Sequence, residues 1–192
     1  MKHRTITLQS LAGAAVLVTG MAATAAAMPA AEATPGEWET NHNEWGGVEE
    51  NFCDVPGLTV RDEGSGDSRN RTVLRDGLPY LQGHSVDTDV FTNLANGRFV
   101  TFVDQRNDRF THVTDNGDGT YTARYLASSV NRAYDQAGNV IDRGAGSVSV
   151  DATFDNGGTP SDPDDDEPVA FDLVRSSGRD IDFCAVLIRT IG

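Results

Sequence analysis

The residue types best suited to chemistry in this chain are carboxylates, and they crowd at one place. Ser161-Asp162-Pro163-Asp164-Asp165-Asp166-Glu167-Pro168 is the densest acidic run. Clustered carboxylate oxygens are what hard Ca²⁺ takes, about six to eight per site, so Asp162, Asp164, Asp165 and Asp166 are candidate calcium ligands. The run lacks the Asp-x-Asp-x-Asp-Gly rhythm and distal Glu of an EF-hand loop. The competing reading is a solvated loop that continues Asp155-Asn156-Gly157-Gly158-Thr159-Pro160. His42, His84 and His112 are spaced too irregularly for a metal site, and no H-E-x-x-H pattern occurs. A nucleophile elbow, a P-loop and a dinucleotide fingerprint are equally absent. Gly64-Ser65-Gly66 and Gly144-Ala145-Gly146 lack the strand-to-helix context that gives glycine loops a phosphate-binding meaning.

Two cysteines, Cys53 and Cys184, stand near opposite ends of the chain. Without a C-x-x-C spacing or nearby cations to activate a thiolate, they read as a structural disulfide. Such a bridge closes a loop of about 130 residues and contributes up to about 5 kcal/mol in the chain-entropy model.

The first 27 residues order a basic head, an apolar run and a small-residue segment. Lys2, His3 and Arg4 precede a run from about Leu11 to Met21, and Ala25-Ala26-Ala27 offers an A-x-A cleavage site, with Ala31-Glu32-Ala33 as a second. That order predicts a secretory signal peptide, with an apolar stretch about half the length of a membrane span. Beyond it stand 13 arginines, no lysine and 29 acidic residues, a net charge of −16. A surface so acidic repels nucleic acid and anionic lipid, because phosphate recognition requires clustered cations. The C-terminus carries no hydrophobic tail, so no stable membrane anchor is expected.

These groups must be positioned by strands. Val148, Val150, Ala152 and Phe154 alternate with Ser147, Ser149, Asp151 and Thr153, the period of a half-buried strand, and Tyr121 to Ser128 alternates likewise. Further strands are expected at 58–61, 72–74, 86–92, 98–103, 109–113 and 169–174. Asn96-Gly97, Asp115 to Gly119 and Asp135 to Asn139 supply turn chemistry, with both residues of Asn96-Gly97 expected at positive φ. The sequence predicts an all-β antiparallel meander of about eight strands, closed into a barrel, with a β-sandwich as the alternative. Phe183, Val186, Leu187 and Ile191 share one helical face, which predicts a short C-terminal helix capped by Asp180, with a last β-strand as the alternative because Ile and Val are plentiful there. Residues 28–51 show no period and read as a flexible leader, within which Trp38 and Trp45 either pack back on the domain or grip a ligand. Residues 52–192 then form a single β domain.

The ordered set Asn51-Phe52-Cys53, Thr92-Asn93 with Gly97, Val113 to Thr120, Asp155 to Pro163 and Asp182-Phe183-Cys184 resembles a group of small secreted actinobacterial proteins of uncharacterised function. The resemblance spans roughly residues 50–188. It implies export, a Cys53–Cys184 bridge and a β architecture, and it carries no assigned activity.

Three functions fit this sequence. One is a secreted module binding a small apolar or amphipathic molecule in a barrel lined by Phe99, Phe102, Tyr121, Tyr125 and Phe154. A second is an extracellular interaction or structural protein that uses its acidic face or its tryptophans. The third is a barrel-type isomerase or cyclase similar to allene oxide cyclases or dirigent proteins, for which His84, His112 and Tyr125 are the polar groups to place.

Overall fold

Seven strands follow one another along the chain and across the sheet in the same order. In the computed structural model, which describes residues 36–159 and 165–192, these are β1 (Glu39–Glu49), β2 (Val60–Arg75), β3 (Leu78–Asn93), β4 (Phe99–Asp115), β5 (Thr120–Tyr134), β6 (Val140–Asp155) and β7 (Glu167–Arg179), followed by helix α1 (Phe183–Ile191). Every neighbouring pair is antiparallel, and the sheet order is β1 to β7 without a crossover.

The all-β meander with one short C-terminal helix is therefore present, but the expected barrel is not. The sheet does not close: β1 and β7 are its two edges, and among the described residues no strand pairs with their outer sides. A second sheet, which a sandwich requires, is also lacking among the described residues. The strand count differs as well. Expected strands at 58–61 and 72–74 fuse into β2, and those at 98–103 and 109–113 fuse into β4. The joining stretches, such as Gln105-Arg106-Asn107-Asp108, are polar on both faces and hide the pattern. Strands of 13 to 17 residues in β2–β7 are two to three times the usual length of about five or six.

Residues 39–49, expected in a flexible leader, form β1, paired with β2 from Glu39↔Asn70 to Glu49↔Val60. The segment is polar and exposed throughout, so only backbone pairing makes it a strand. The open edge at β7 carries two register shifts, and bulges of this kind blunt an edge against further strand addition.

Turn chemistry separates the strands. Asp76 and Gly77, with φ of 53° and 79°, join β2 to β3 in the tight two-residue form that matches strand twist. At the β3–β4 connection only Gly97 has positive φ, so Asn96-Gly97 is not such a turn. The loop runs over Leu94 to Arg98 and is closed by Asn93 N donating to Arg98 O at 2.9 Å.

One face of the sheet, here the inner face, is covered at one end by α1. Val186, Leu187 and Ile191 are buried there against Leu58, Val60, Phe91, Val100 and Ala133. The Phe183 ring meets Phe91 edge to face at 5.0 Å between centroids and Phe102 at a tilt at 4.7 Å. The helix cap is Asp182, whose side chain accepts from Ala185 N at 3.0 Å, two residues after the expected Asp180. The other helix end is held by Asn93 Nδ2 and Asn96 Nδ2, which donate to Ile191 O at 2.8 and 3.1 Å. Cys53 and Cys184 form the disulfide across 131 positions. It pins α1 to the turn at Phe52–Asp54, where Asn51, Cys53 and Asp54 all have positive φ.

Candidate functional site

Between its two apolar ends the inner face turns acidic. Strand register places Gly47, Asp62, Phe91 and Val100 on one rung across β1–β4. The next same-face rung holds Trp45, Gly64, Asp89, Phe102 and Ala133, and the one after it Asn43, Gly66, Asp87, Asp104 and Asn131. Directly opposed residues on one face stand about 5 Å apart. Four carboxyls, Asp62, Asp87, Asp89 and Asp104, therefore share a patch three rungs deep and three strands wide.

Trp45 walls this patch from the edge strand. Its indole lies across Gly64 and Gly66 and donates from Nε1 to Asp89 Oδ1 at 2.7 Å. A Cβ at Gly64 would overlap the indole, and one at Gly66 would stand 3.1 Å from its Cη2. The glycines at alternate positions are the gap through which a β1 side chain reaches a β3 carboxylate. The Gly64-Ser65-Gly66 motif is thus a packing device within a strand.

Burial pushes the carboxyls of Asp62, Asp87, Asp89 and Asp104 above the ordinary aspartate value. The charges of Asp87 and Asp89 raise Asp104 further, whereas the Trp45 hydrogen bond moderates the rise at Asp89. Asp62 Oδ1, Asp104 Oδ1 and Asn131 Oδ1 are fully occluded and accept no hydrogen bond. An occluded acceptor without a donor costs about 1–3 kcal/mol, and among the described residues no donor reaches these three oxygens. Arg106, on the same face, turns toward Tyr125 Oη at 2.5 Å and Asp108 at 3.7 Å.

The five aromatic residues expected to line one cavity are divided. Phe102 lies in the cluster beneath α1. Tyr121 and Phe154 stack at 5.2 Å in a second cluster, which Tyr125 borders through Phe110 at 6.2 Å. Phe99 alternates with the buried Val100 and faces the outer side. His84 and His112 also lie on the outer face, His84 Nδ1 3.0 Å from Asn107 Oδ1 and His112 Nε2 3.1 Å from Thr114 Oγ1. The two histidines and Tyr125 therefore do not converge on one site.

Of the candidate calcium ligands, Asp162 and Asp164 lie outside the described residues. Asp165 accepts a hydrogen bond from the Thr159 hydroxyl, and Asp166 accepts one from Tyr121 Oη at 2.5 Å. Among the described residues, no three histidine, cysteine or carboxylate side chains gather at metal-ligand spacing.

The acidic patch escaped the sequence reading, although a signal for it exists. Asp87 and Asp89 stand at i and i+2, as do Asp62, Gly64 and Gly66, a strand period written in polar residues. The chain matches no protein-family model, no curated protein and no solved structure. Among the described residues no helix is long and apolar enough to cross a membrane.

Proposed function

We propose that this protein is an extracellular binding module whose inner face takes up a small amphipathic cation. The carrying observation is the quartet Asp62, Asp87, Asp89 and Asp104, gathered on one face by strand register and, among the described residues, without an ion-pair partner. The carboxyls are spread over three strands, β2, β3 and β4, which suits an ammonium or guanidinium group on a carbon frame better than a single bare metal ion. Trp45, 39% exposed, offers an apolar wall and a π-face beside the charges, and cation–π contacts contribute about 0.5–2 kcal/mol. The disulfide and the signal-like N-terminal segment support an extracellular setting, as does the resemblance to secreted actinobacterial proteins.

Calorimetric titration with octylammonium, and with octanol as its uncharged counterpart, tests this reading. The ammonium is expected to bind and the alcohol not. Binding is expected to weaken at acid pH as the raised carboxyls gain protons, and to fall at least tenfold in Asp62→Asn/Asp104→Asn. Equal binding of alcohol and ammonium, or no loss in the double variant, overturns the proposal.

A further inference from the structure

The opposite face carries the reverse charge. Register places Arg69, His84, Asn107 and Ser128 on one outer rung and Arg71, Gln82, Arg109 and Leu126 on the next. Trp38, just before β1, lies beside them with Arg69 and Arg71 stacked at 5.1 and 4.6 Å from its ring centroid. Trp38, Arg69, Gln82, His84, Asn107 and Arg109 border a hollow of about 430 Å³, in the range of small-molecule sites, and Arg71 adjoins it through its contacts with Trp38 and Gln82.

Among the described residues, no carboxylate forms an ion pair with Arg69, Arg71 or Arg109, nor with Arg75, Arg98, Arg132, Arg143 or Arg175, whereas Arg61, Arg106, Arg124, Arg179 and Arg189 all have one. What sets the first three apart is that register gathers them on two adjacent outer rungs. Arg71 is instead oriented by neutral groups. Its Nε and Nη2 donate to Gln82 Oε1 at 2.8 and 2.7 Å, and its guanidinium rests on Trp38. That arrangement fixes the fork and leaves further N–H donors unclaimed. Asp108 borders the hollow, but alternation within β4 assigns its side chain to the inner face, where it meets Arg106. Asp67, one same-face step from Arg69 along β2, is engaged by His42 at 2.8 Å, and charges farther off are screened over about 8 Å at physiological ionic strength, so the three guanidinium groups outweigh it locally.

The remaining lining is neutral and hydrogen-bonding. His84 and Asn107 are joined at 3.0 Å, which leaves the second His84 nitrogen and the Asn107 amide for a ligand, and Ser128 adds a hydroxyl. Trp38 is 43% exposed, and the part of its ring not covered by Arg69 and Arg71 is a flat surface of the kind on which a sugar ring stacks. Arginine forks pair with planar oxyanions through two parallel bonds. We infer that this outer hollow is a second binding site, for an acidic saccharide: a sugar ring against Trp38, its hydroxyls on His84, Asn107 and Ser128, and its anionic group among Arg69, Arg71 and Arg109.

Trp38 and Trp45 are the two tryptophans of the chain, so Trp45→Phe leaves Trp38 as the lone reporter. In that background, titration with trigalacturonate is expected to change the emission saturably. The affinity should fall at least tenfold in Arg109→Gln and in Arg69→Gln, with unchanged melting temperatures, and should weaken with added salt. Maltotriose, neutral and of the same length, is expected to leave the emission unchanged. Failure of trigalacturonate to bind, equal binding of maltotriose, or full affinity in both arginine variants overturns the assignment. Inorganic phosphate binding as tightly as trigalacturonate would show an anion site without sugar recognition and overturn the ligand class.

Discussion

Replacing Asp104 by Asn should make the protein more stable at neutral pH while weakening the cation site. Asp104 faces Asp87 directly across β3–β4, with Asp89 one rung away. Burial and both of these charges raise its carboxyl above the ordinary aspartate value. Two like charges about 5 Å apart repel by about 1 kcal/mol in a water-like dielectric and by about 3 kcal/mol at an effective dielectric of about 20. Asparagine keeps the shape and removes the charge. A gain of about 1 kcal/mol is the expected net effect, equivalent to a rise of roughly 2–4 °C in Tm for a chain of this size.

The pH dependence gives this prediction its sign. A carboxyl raised in the folded state holds its proton more tightly there than in the unfolded chain, so stability falls as pH rises through the raised value. Below the unfolded value Asp104 is neutral in both states, and the variant has nothing left to gain. Thermal unfolding of both proteins at pH 7.5 and pH 3.5 should therefore show a higher Tm for the variant at pH 7.5 and near-equal values at pH 3.5. A variant that is less stable at pH 7.5, or equally stabilised at both pH values, refutes the reading of Asp104 as a desolvated, repelled charge.

Other perturbations probe separate parts of the fold. Cys53→Ser with Cys184→Ser should cost up to about 5 kcal/mol, given the 131-position separation, seen as a lowered urea midpoint that reductant no longer affects. Leu187→Ala, at a fully buried helix position, should cost about 2–5 kcal/mol in chemical unfolding. Gly64→Ala in a Trp38→Phe background should push Trp45 off the sheet and break its bond to Asp89, giving a red-shifted emission and a loss of about 1 kcal/mol. His42, whose Nδ1 lies 2.8 Å from Asp67 Oδ1, should titrate by NMR above the ordinary histidine value, because the Asp67 hydrogen bond and charge, with help from Glu44, raise it. The protonated pair therefore supports β1 at low pH, that support is lost as pH rises through the raised value, and Asp67→Asn should remove most of the shift.

How far each element could be read from sequence follows from what stabilises it. The alternation at Val148 to Phe154 is visible because burial of one face forces apolar residues at every second position, and α1 is visible for the same reason at helical spacing. β1 is not, because its eleven residues are exposed and backbone pairing with β2 alone makes it a strand. The centres of β2 and β4 are hidden because they carry Asp, Gly, Ser and Arg on both faces, where the pleat needs no apolar residue to continue.

The sequence alone determined an all-β meander, its C-terminal helix, the cysteine pair and the acidic balance, since these follow from local periodicity, turn chemistry and composition. Only the tertiary structure decided that the sheet stays open. It alone decided that Asp62, Asp87, Asp89 and Asp104 meet on one face while Arg69, Arg71 and Arg109 meet on the other. The reason is register: a shift of one residue between paired strands exchanges every side chain between the faces. That register is set by turns and pairings up to 33 residues apart along the β2–β3 ladder (Arg75↔Leu78 at one end, Val60↔Asn93 at the other), beyond what any short window of sequence contains.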